Sequence, residues 1–188
     1  ARIHELRSAG VTVAATKSSA VDMVTEADRE CERLIVAALL EARPDDSILG
    51  EEGTGIEGTS GITWVLDPID GTTNYLYNLP AYAVSIAATV EDPEAFADGR
   101  RGIAAAVYSP RSDEMFDAWF GGGARLNGES IRISGNLDLG TSLVGTGFGY
   151  TVERKHEQLE LLQRVLPHVR DIRRIGSAAY DLCMTAAG

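Results

Sequence analysis

Two aspartates separated by Pro-Ile stand in the segment WVLDPIDGTTNY, residues 64–75, and Gly-Thr-Thr follows them directly. Pro68 has no amide hydrogen and disfavours helical backbone at the residue before it, so the sequence predicts a bend here and not the interior of a helix. In such a bend Asp67, Asp70 and the main-chain carbonyl of Ile69 can point to one place. Carboxylate and carbonyl oxygens suit Mg²⁺ better than Zn²⁺, so the segment predicts a magnesium site.

The residues after the second aspartate predict a phosphate-binding turn. Gly71 lets the backbone approach a ligand closely. If Thr72, Thr73 and Asn74 begin a helical turn, their amides offer hydrogen bonds to a phosphate. Metal ligands beside an anion site suit hydrolysis of a phosphate ester, because a metal ion can bridge the phosphate and the attacking water. Taken alone, the Asp-Pro-x-Asp-Gly pattern is also compatible with a solvent-facing turn.

A second acidic pair, Glu51-Glu52, stands between Gly50 and Gly53. It follows the apolar SIL just as Asp67 follows the apolar WVL. We therefore expect both acidic segments to leave the same edge of a sheet. For this pair alone, a solvated surface loop is the alternative.

A third polar segment, KSSAVDMVTEAD, leads into the first long helical pattern and contains Lys17, Asp22, Thr25 and Asp28. Either Thr25 or Asp22 can serve as the N-cap of that helix, which would be a purely local role.

The elements that must position these residues alternate between helices and groups of strands. A helix is predicted over residues 23–42, with an apolar stripe and charged residues opposite it. The runs ITWVL, AYAVSIAATV, GIAAAVYSP, SDEMFDAWF, ARLN, SIRIS and SLVGTGFGY are strand-like, and Asn127-Gly128 predicts a hairpin turn. ERKHEQLELLQRVLPHV predicts an amphipathic helix, and DIRRIGSAAYDLCMTAAG a strand, a turn and the start of a helix. The stripe comprises Met23, Ala27, Cys31, Leu34, Ile35 and Ala38.

This alternation predicts an α/β layered sandwich with alternating helix and sheet layers and a large mixed or antiparallel sheet. A single domain over residues 1–188 is expected from the length and from the lack of a clear linker. The first ten residues, ARIHELRSAG, are typical of the interior of a helix.

Composition excludes several classes of partner. The chain has 188 residues, with 28 acidic and 17 basic residues and a formal charge of -11, which opposes binding to nucleic acid or to anionic membranes through nonspecific charge. Its two cysteines are far apart in the sequence and predict neither a disulfide framework nor a zinc site. A reducing, cytoplasmic setting is expected. No apolar run approaches the roughly 20 residues that a membrane-spanning helix needs.

Taken together and in this order, KSSAVDMVTEAD, GEEG, WVLDPIDGTTNY and RRIGSAAYDLC resemble the inositol monophosphatase family of magnesium-dependent, lithium-sensitive phosphatases. The resemblance extends from Lys17 to Gly188. It implies a layered sandwich, usually dimeric, that hydrolyses a small phosphomonoester, above all inositol monophosphate, by in-line attack of a metal-activated water. Two or three Mg²⁺ ions per site are implied.

The resemblance also implies roles for individual residues in metal binding and catalysis. Glu51, Asp67 and the Ile69 carbonyl would hold the first metal ion, and Asp67 and Asp70 would reach the second. Thr72, paired with Asp28, would orient and deprotonate the attacking water. Three further residues would support the site from around it: Glu52, Lys17 and Asp22.

The residues implied for substrate binding lie in two segments. Gly71 and Thr72 would grip the phosphate through their amides. The alcohol part of the substrate would face Asp70 together with Gly176, Ser177 and Ala178.

The chain departs from the family pattern at its carboxyl end. In the family a Trp-Asp-x-Ala-Ala-Gly motif follows and supplies a third carboxylate to the second metal site, whereas this chain stops at Gly188. We therefore expect a fragment of a longer polypeptide, clipped at both ends. If the 188 residues were the whole molecule, weak or absent activity would be expected.

Three other functions remain open. The first is another phosphatase of the same superfamily, acting on fructose bisphosphate, histidinol phosphate or a nucleotide. The second is a non-catalytic binding or regulatory protein on this scaffold. The third, a dinucleotide-binding oxidoreductase suggested by GTGFGY, is weakly supported because the glycine spacing differs from the phosphate-binding fingerprint.

Overall fold

The computed structural model describes residues 13–16, 23–95 and 98–188. Within this part of the chain the helices are α1 (Glu26–Ala42), α2 (Thr72–Leu76), α3 (Val152–Val165) and α4 (Ala178–Ala187). Two short 3-10 helices cover Leu139–Thr141 and Leu166–His168. No helix in the described ranges is both long enough and apolar enough to cross a membrane.

A large mixed sheet dominates the structure. Its eight strands are β3 (Ser47–Gly50), β4 (Gly55–Ile56), β5 (Ile62–Asp70), β6 (Ala83–Glu91), β7 (Arg100–Ser109), β8 (Glu114–Trp119), β9 (Gly123–Leu126) and β10 (Glu129–Ile131). They follow the order β10-β9-β8-β7-β6-β5-β3-β4, in which β3 and β5 run parallel and every other neighbouring pair is antiparallel.

Two smaller sheets complete the described strands. β1 (Val13–Thr16) pairs antiparallel with β2 (Met23–Thr25), and β11 (Leu143–Gly145) pairs parallel with β12 (Asp171–Arg173).

The helices pack on both faces of the large sheet, which makes the structure layered. In β6, Val84 packs against a core cluster that contains Ala27 and Cys31 of α1. Its neighbour Ala83 belongs to a second cluster, against which Tyr180 of α4 packs. Because successive side chains of a strand point to opposite faces, α1 and α4 lie on opposite sides of the sheet. The predicted α/β layered sandwich with a large mixed sheet is confirmed.

The predicted start of the first helix at Met23 is wrong. Residues Met23–Thr25 form β2, and the helix begins at Glu26. Thr25 has extended backbone (φ -103°, ψ 163°), and its hydroxyl accepts a hydrogen bond from the Asp28 amide while the Asp28 carboxylate accepts one from the Thr25 amide. This reciprocal capping box defines the helix terminus and confirms the expectation that Thr25 can be the N-cap.

The predicted apolar stripe of α1 is only partly buried. Ala27 and Cys31 are in the core, whereas Leu34 and Ala38 are exposed. Two charged residues of the helix, Asp28 and Glu32, are buried as well. Helical periodicity located the contact face approximately but did not show which turns of the helix the sheet covers.

Several other boundaries differ from the sequence prediction. The strand expected in SLVGTGFGY covers only Leu143–Gly145, and the strand expected in SIRIS ends at Ile131. The predicted amphipathic helix and the strand, turn and helix of the last segment are confirmed by α3, β12 and α4. The helix expected in residues 1–10 lies outside the described residues.

The Asn127-Gly128 turn gives a direct test of this architecture. Both residues have positive φ, 49° and 85°, as a two-residue type I′ turn between β9 and β10 requires. Gly128→Ala is expected to lower the free energy of unfolding by about 1–2 kcal/mol, because a Cβ is disfavoured in left-handed backbone.

Gly135→Ala is the matched control, since Gly135 also has open space around its missing side chain but no positive φ. Urea unfolding followed by circular dichroism measures both variants. Equal stabilities of the two variants would contradict the assigned turn.

Candidate active site at the carboxyl ends of two parallel strands

The parallel pair β3 and β5 brings the two acidic segments to one edge of the sheet. Gly50, the last residue of β3, lies opposite Leu66, and the amide of Glu51 donates to the Leu66 carbonyl at 3.0 Å. The next residues along the two strands are Glu51 and Asp67. The expectation that both acidic segments leave the same edge is confirmed.

A β-bulge places Asp67 and Asp70 on the same face of β5. Asp67 lies opposite Ser85 and Asp70 lies opposite Ala83, so three steps along β5 match two steps along β6. In a regular strand, residues three apart point to opposite faces, and the one extra residue removes this difference. The segment is therefore a bulged strand and not the free bend that the sequence predicted.

The bulge separates the side chains of this segment by face. Pro68 and Ile69 are fully buried, and Ile69 belongs to the α1 side of the core. One carboxylate oxygen of Asp67, Oδ1, is buried and accepts no hydrogen bond, although Asp67 interacts with its surroundings in other ways. The register of β5 thus places both aspartates on the face of the sheet opposite α1.

The donor types at this edge fit a hard divalent cation. Glu51, Asp67, Asp70 and the Ile69 carbonyl offer only oxygen atoms, which is the ligand chemistry of Mg²⁺. In the described ranges, no three His, Cys, Asp or Glu side chains are arranged closely enough to hold an ion. The backbone of Glu51 lies beside the strand that carries Asp67 and Asp70, while the Glu51 side chain is exposed.

A hydrogen-bonded network joins the start of α1 to the start of α2. The Thr72 hydroxyl lies 3.2 Å from Oδ1 of Asp28 and 3.1 Å from the Ile69 carbonyl oxygen. The other Asp28 oxygen accepts from the Thr25 amide at 2.8 Å and from the Thr25 hydroxyl. The structure brings together Thr72 and Asp28, which are 44 residues apart in the chain.

Burial gives Asp28 unusual acid-base properties. The residue is 1% exposed, and this burial raises the pKa of its carboxyl above the ordinary value of 3.8. Hydrogen bonds from Thr25 and Thr72 favour the charged form and oppose that rise in pKa without cancelling it. Asp28 is therefore a stronger base than an exposed aspartate.

Gly71 satisfies two requirements at the start of α2. Its backbone is left-handed (φ 95°, ψ 38°), and a Cβ there would lie 3.0 Å from the Ala81 carbonyl oxygen and 3.1 Å from that of Gly176. Only glycine meets both the conformation and the space. The predicted helical turn at Thr72 and the two residues after it is confirmed.

Asp70 caps helix α4 from a distant part of the chain. Its carboxylate accepts hydrogen bonds from the Ser177 hydroxyl at 2.7 Å, the Ala178 amide at 3.1 Å and the Ala179 amide at 2.6 Å. Ser177 is the N-cap of α4 but makes no capping bond with its own side chain. The structure thus adds a structural task to a residue that the sequence predicted only as a metal and substrate ligand.

An open cleft of about 620 Å³ lies beside Asp70 and Gly71. Burial raises the pKa of Asp181 in its wall, and the negative charge of Asp70 adds to that rise, while Arg174 opposes it. Apolar residues also line the cleft, including Leu143, Val144, Phe148 and Tyr150.

Sequence reasoning missed three residues of this region, Glu32, Arg174 and Asp181, and it missed the role of the Asn74 side chain. Glu32 is buried and accepts hydrogen bonds from the acidic loop, residues 50–54. Asn74 joins two segments, because its side chain donates to the carbonyls of Ala81 (2.6 Å) and Ile175 (2.8 Å). Glu32 follows Asp28 by four positions, so helical spacing could have placed both on one face of α1. No sequence signal identifies Arg174 and Asp181 as parts of the cleft wall.

Most of the other predicted site residues lie near the residues already described. Gly176 and Ser177 lie beside Gly71, and Ala178 lines the same cleft. The amide of Glu52 donates a hydrogen bond to the Glu32 carboxylate of α1 at 2.8 Å. Lys17 and Asp22 lie outside the described residues.

Known proteins resemble this chain in sequence and in structure. Inositol-1-monophosphatase SuhB of Mycobacterium tuberculosis is 48% identical over 181 residues, covering 92% of this chain and 60% of that protein. A protein of Xylella fastidiosa named Nus factor SuhB is 41% identical over 178 residues, covering 94% of this chain and 62% of that protein.

The crystal structure of the extragenic suppressor protein suhB from Bartonella henselae superposes with a TM-score of 0.87 at 35% identity. The superposition covers 100% of this chain and 69% of that one. This chain spans about 60% of the length of the curated relatives it matches. A sequence profile described as the inositol monophosphatase family matches residues 2–188. The chain therefore belongs to the inositol monophosphatase family.

Proposed function

We propose that the protein is a phosphoric monoester hydrolase that acts with Mg²⁺ on a small phosphomonoester, above all inositol monophosphate. One observation carries this proposal: Gly50, the last residue of β3, lies opposite Leu66 of the parallel strand β5, so that the backbones of Glu51 and Asp67 follow next to each other. Membership of the inositol monophosphatase family supports the same activity.

Glu51, Asp67 and the Ile69 carbonyl would hold one Mg²⁺, and Asp67 and Asp70 would reach a second. When bound, Mg²⁺ would supply positive charge that activates water and stabilises the leaving oxygen. Asp70 would bind the second Mg²⁺ while keeping its hydrogen bonds to the start of α4.

Thr72 and Asp28 would handle the proton of the attacking water. The water would pass a proton to the Thr72 hydroxyl as Thr72 passes its own to Oδ1 of Asp28, which lies 3.2 Å away. The raised pKa of Asp28 favours this transfer, because a stronger base takes a proton more readily.

The cleft beside the site would receive the substrate. Gly71, which lines the cleft, and Thr72 would bind the phosphoryl group through their amides. The alcohol part would face Asp70 and residues 176–178. Carboxylates in the cleft wall, including Asp181, suit an alcohol that carries several hydroxyl groups, because they accept hydrogen bonds.

We also propose for this protein the further properties that its resemblance to the family implies. These are two or three Mg²⁺ ions per site, inhibition by lithium, a homodimer of single-domain subunits, and a cytoplasmic location without a nucleic-acid or membrane partner.

A second candidate is a binding or regulatory protein on this scaffold. One observation favours it: a relative 41% identical to this chain is named Nus factor SuhB, not phosphatase. Mg²⁺ binding without turnover in the intact chain would support this candidate over the hydrolase.

Phosphate release from a panel of phosphomonoesters, measured with and without Mg²⁺, tests the hydrolase. We expect Mg²⁺-dependent release with the highest kcat/KM for inositol monophosphate and inhibition by added lithium. A higher kcat/KM for fructose bisphosphate, histidinol phosphate or a nucleotide would replace the first substrate by that one. No release from any ester would refute the hydrolase.

Glu51→Gln and Glu52→Gln form a matched pair that tests the metal ligands. We expect Glu51→Gln to weaken Mg²⁺ binding more than about 100-fold, because even residues around a ligand contribute roughly 10–100-fold to metal affinity. Glu52→Gln should weaken Mg²⁺ binding less, because Glu52 is expected to support the site without binding the ion directly. Calorimetric titration with Mg²⁺ measures both affinities, and equal losses would contradict the assignment.

The raised pKa of Asp28 predicts how stability depends on pH in the Mg²⁺-free protein. The folded state holds the Asp28 proton more tightly than the unfolded chain does. Raising the pH from below 3.8 through the folded-state pKa should therefore lower the free energy of unfolding of the wild type relative to Asp28→Asn.

Urea unfolding at a series of pH values measures this difference. Asp45→Asn, which removes an exposed carboxylate, corrects for the general loss of one negative charge. A wild type that gains stability relative to Asp28→Asn over that range would show the opposite sign and contradict the assigned shift.

A further inference from the structure

Glu32 is a charged residue in an unusual place. It lies in the second turn of α1 and is 3% exposed, although glutamate is almost never buried without partners. Its carboxylate accepts hydrogen bonds from the Glu52 amide at 2.8 Å, from the Thr54 amide at 3.2 Å and from the Thr54 hydroxyl at 2.5 Å. All three donors belong to the acidic loop, residues 50–54.

The Glu32 carboxylate also restricts which residue can stand at position 50. A Cβ at this position would overlap the Glu32 carboxylate, while the φ of Gly50 lies outside the left-handed region. The requirement for glycine at this position is therefore steric. It exists because the carboxylate of α1 fills the space where a side chain of the loop would lie.

The backbone of Glu51 is consequently held from both sides. Its own amide donates to the Leu66 carbonyl at 3.0 Å, and the following amide, that of Glu52, donates to Glu32. Within the loop, the Gly50 amide donates to the Thr54 carbonyl at 2.7 Å.

We infer that Glu32 is a positioning residue for the metal site and that it keeps the backbone of Glu51 beside Leu66 of β5. The inference rests on the proposed Mg²⁺ site. Glu32 acts through the acidic loop and touches neither substrate nor metal. A loop that is not held would have to be ordered when Mg²⁺ binds, and that ordering would reduce the Mg²⁺ affinity.

Glu32→Gln tests the inference. A glutamine amide offers one acceptor oxygen and one NH₂ group, so either Glu52 or Thr54 loses its acceptor. We expect the Mg²⁺ concentration for half-saturation to rise about tenfold, the loss typical of residues that orient metal ligands. The kcat at saturating Mg²⁺ and the KM for substrate should stay within about twofold of the wild type.

Two further variants keep the test decisive. Thr54→Val removes one hydroxyl donor and should shift the Mg²⁺ midpoint in the same direction by less, even if Glu32→Gln does not fold. Glu41→Gln removes an exposed carboxylate from the same helix and should leave the midpoint unchanged. Calorimetry and Mg²⁺ activation of phosphate release both report the midpoint.

The outcomes separate this inference from the proposed function. Lower unfolding stability of Glu32→Gln and Thr54→Val with an unchanged Mg²⁺ midpoint would overturn the inference and leave the hydrolase standing. A wild type that binds Mg²⁺ but releases no phosphate would overturn the hydrolase, and a raised calorimetric midpoint in the variants would still support the inference. A wild type that binds no Mg²⁺ would overturn both.

Discussion

The parallel pairing of β3 and β5 is the constraint on which the candidate site depends. β4 turns back along one side of β3, and the chain then crosses to the other side, where β5 runs in the same direction as β3. Parallel neighbours finish at the same edge of a sheet, so the residues that follow them meet. The aspartate bulge and the start of α2 follow directly from this part of β5 in the chain, so their positions depend on the same pairing.

Buried and half-buried carboxylates at this edge are stabilised mainly by neutral donors. Asp28 accepts from Thr25 and Thr72, Glu32 accepts from the acidic loop, and Asp70 accepts from the start of α4. Amides and hydroxyls lower the cost of burying a carboxylate without cancelling its charge. The same hydrogen bonds tie together elements on both faces of the sheet.

Much of the fold could be predicted because its signals are local. The apolar β-rich runs, the Asn127-Gly128 turn and the amphipathic pattern of α3 each depend on a few neighbouring residues, and the structure contains all three. The start of α1 was misplaced because Met23–Thr25 continues the helical pattern but pairs with β1 instead. Periodicity also placed Leu34 in the core, although the sheet covers only the first turns of the helix.

The sequence by itself determined which residues could do chemistry: the Asp-Pro-Ile-Asp-Gly-Thr segment, the Glu-Glu pair and the polar start of α1 carry oxygen ligands and turn residues in recognisable order. Only the tertiary structure decided how they meet. The bulge that turns Asp67 and Asp70 to one face, the cap that Asp70 gives α4 and the contact of Glu32 with the acidic loop all join distant segments. Their geometry depends on strand register and on space left between packed elements, and neither quantity is encoded in the spacing of residues along one segment.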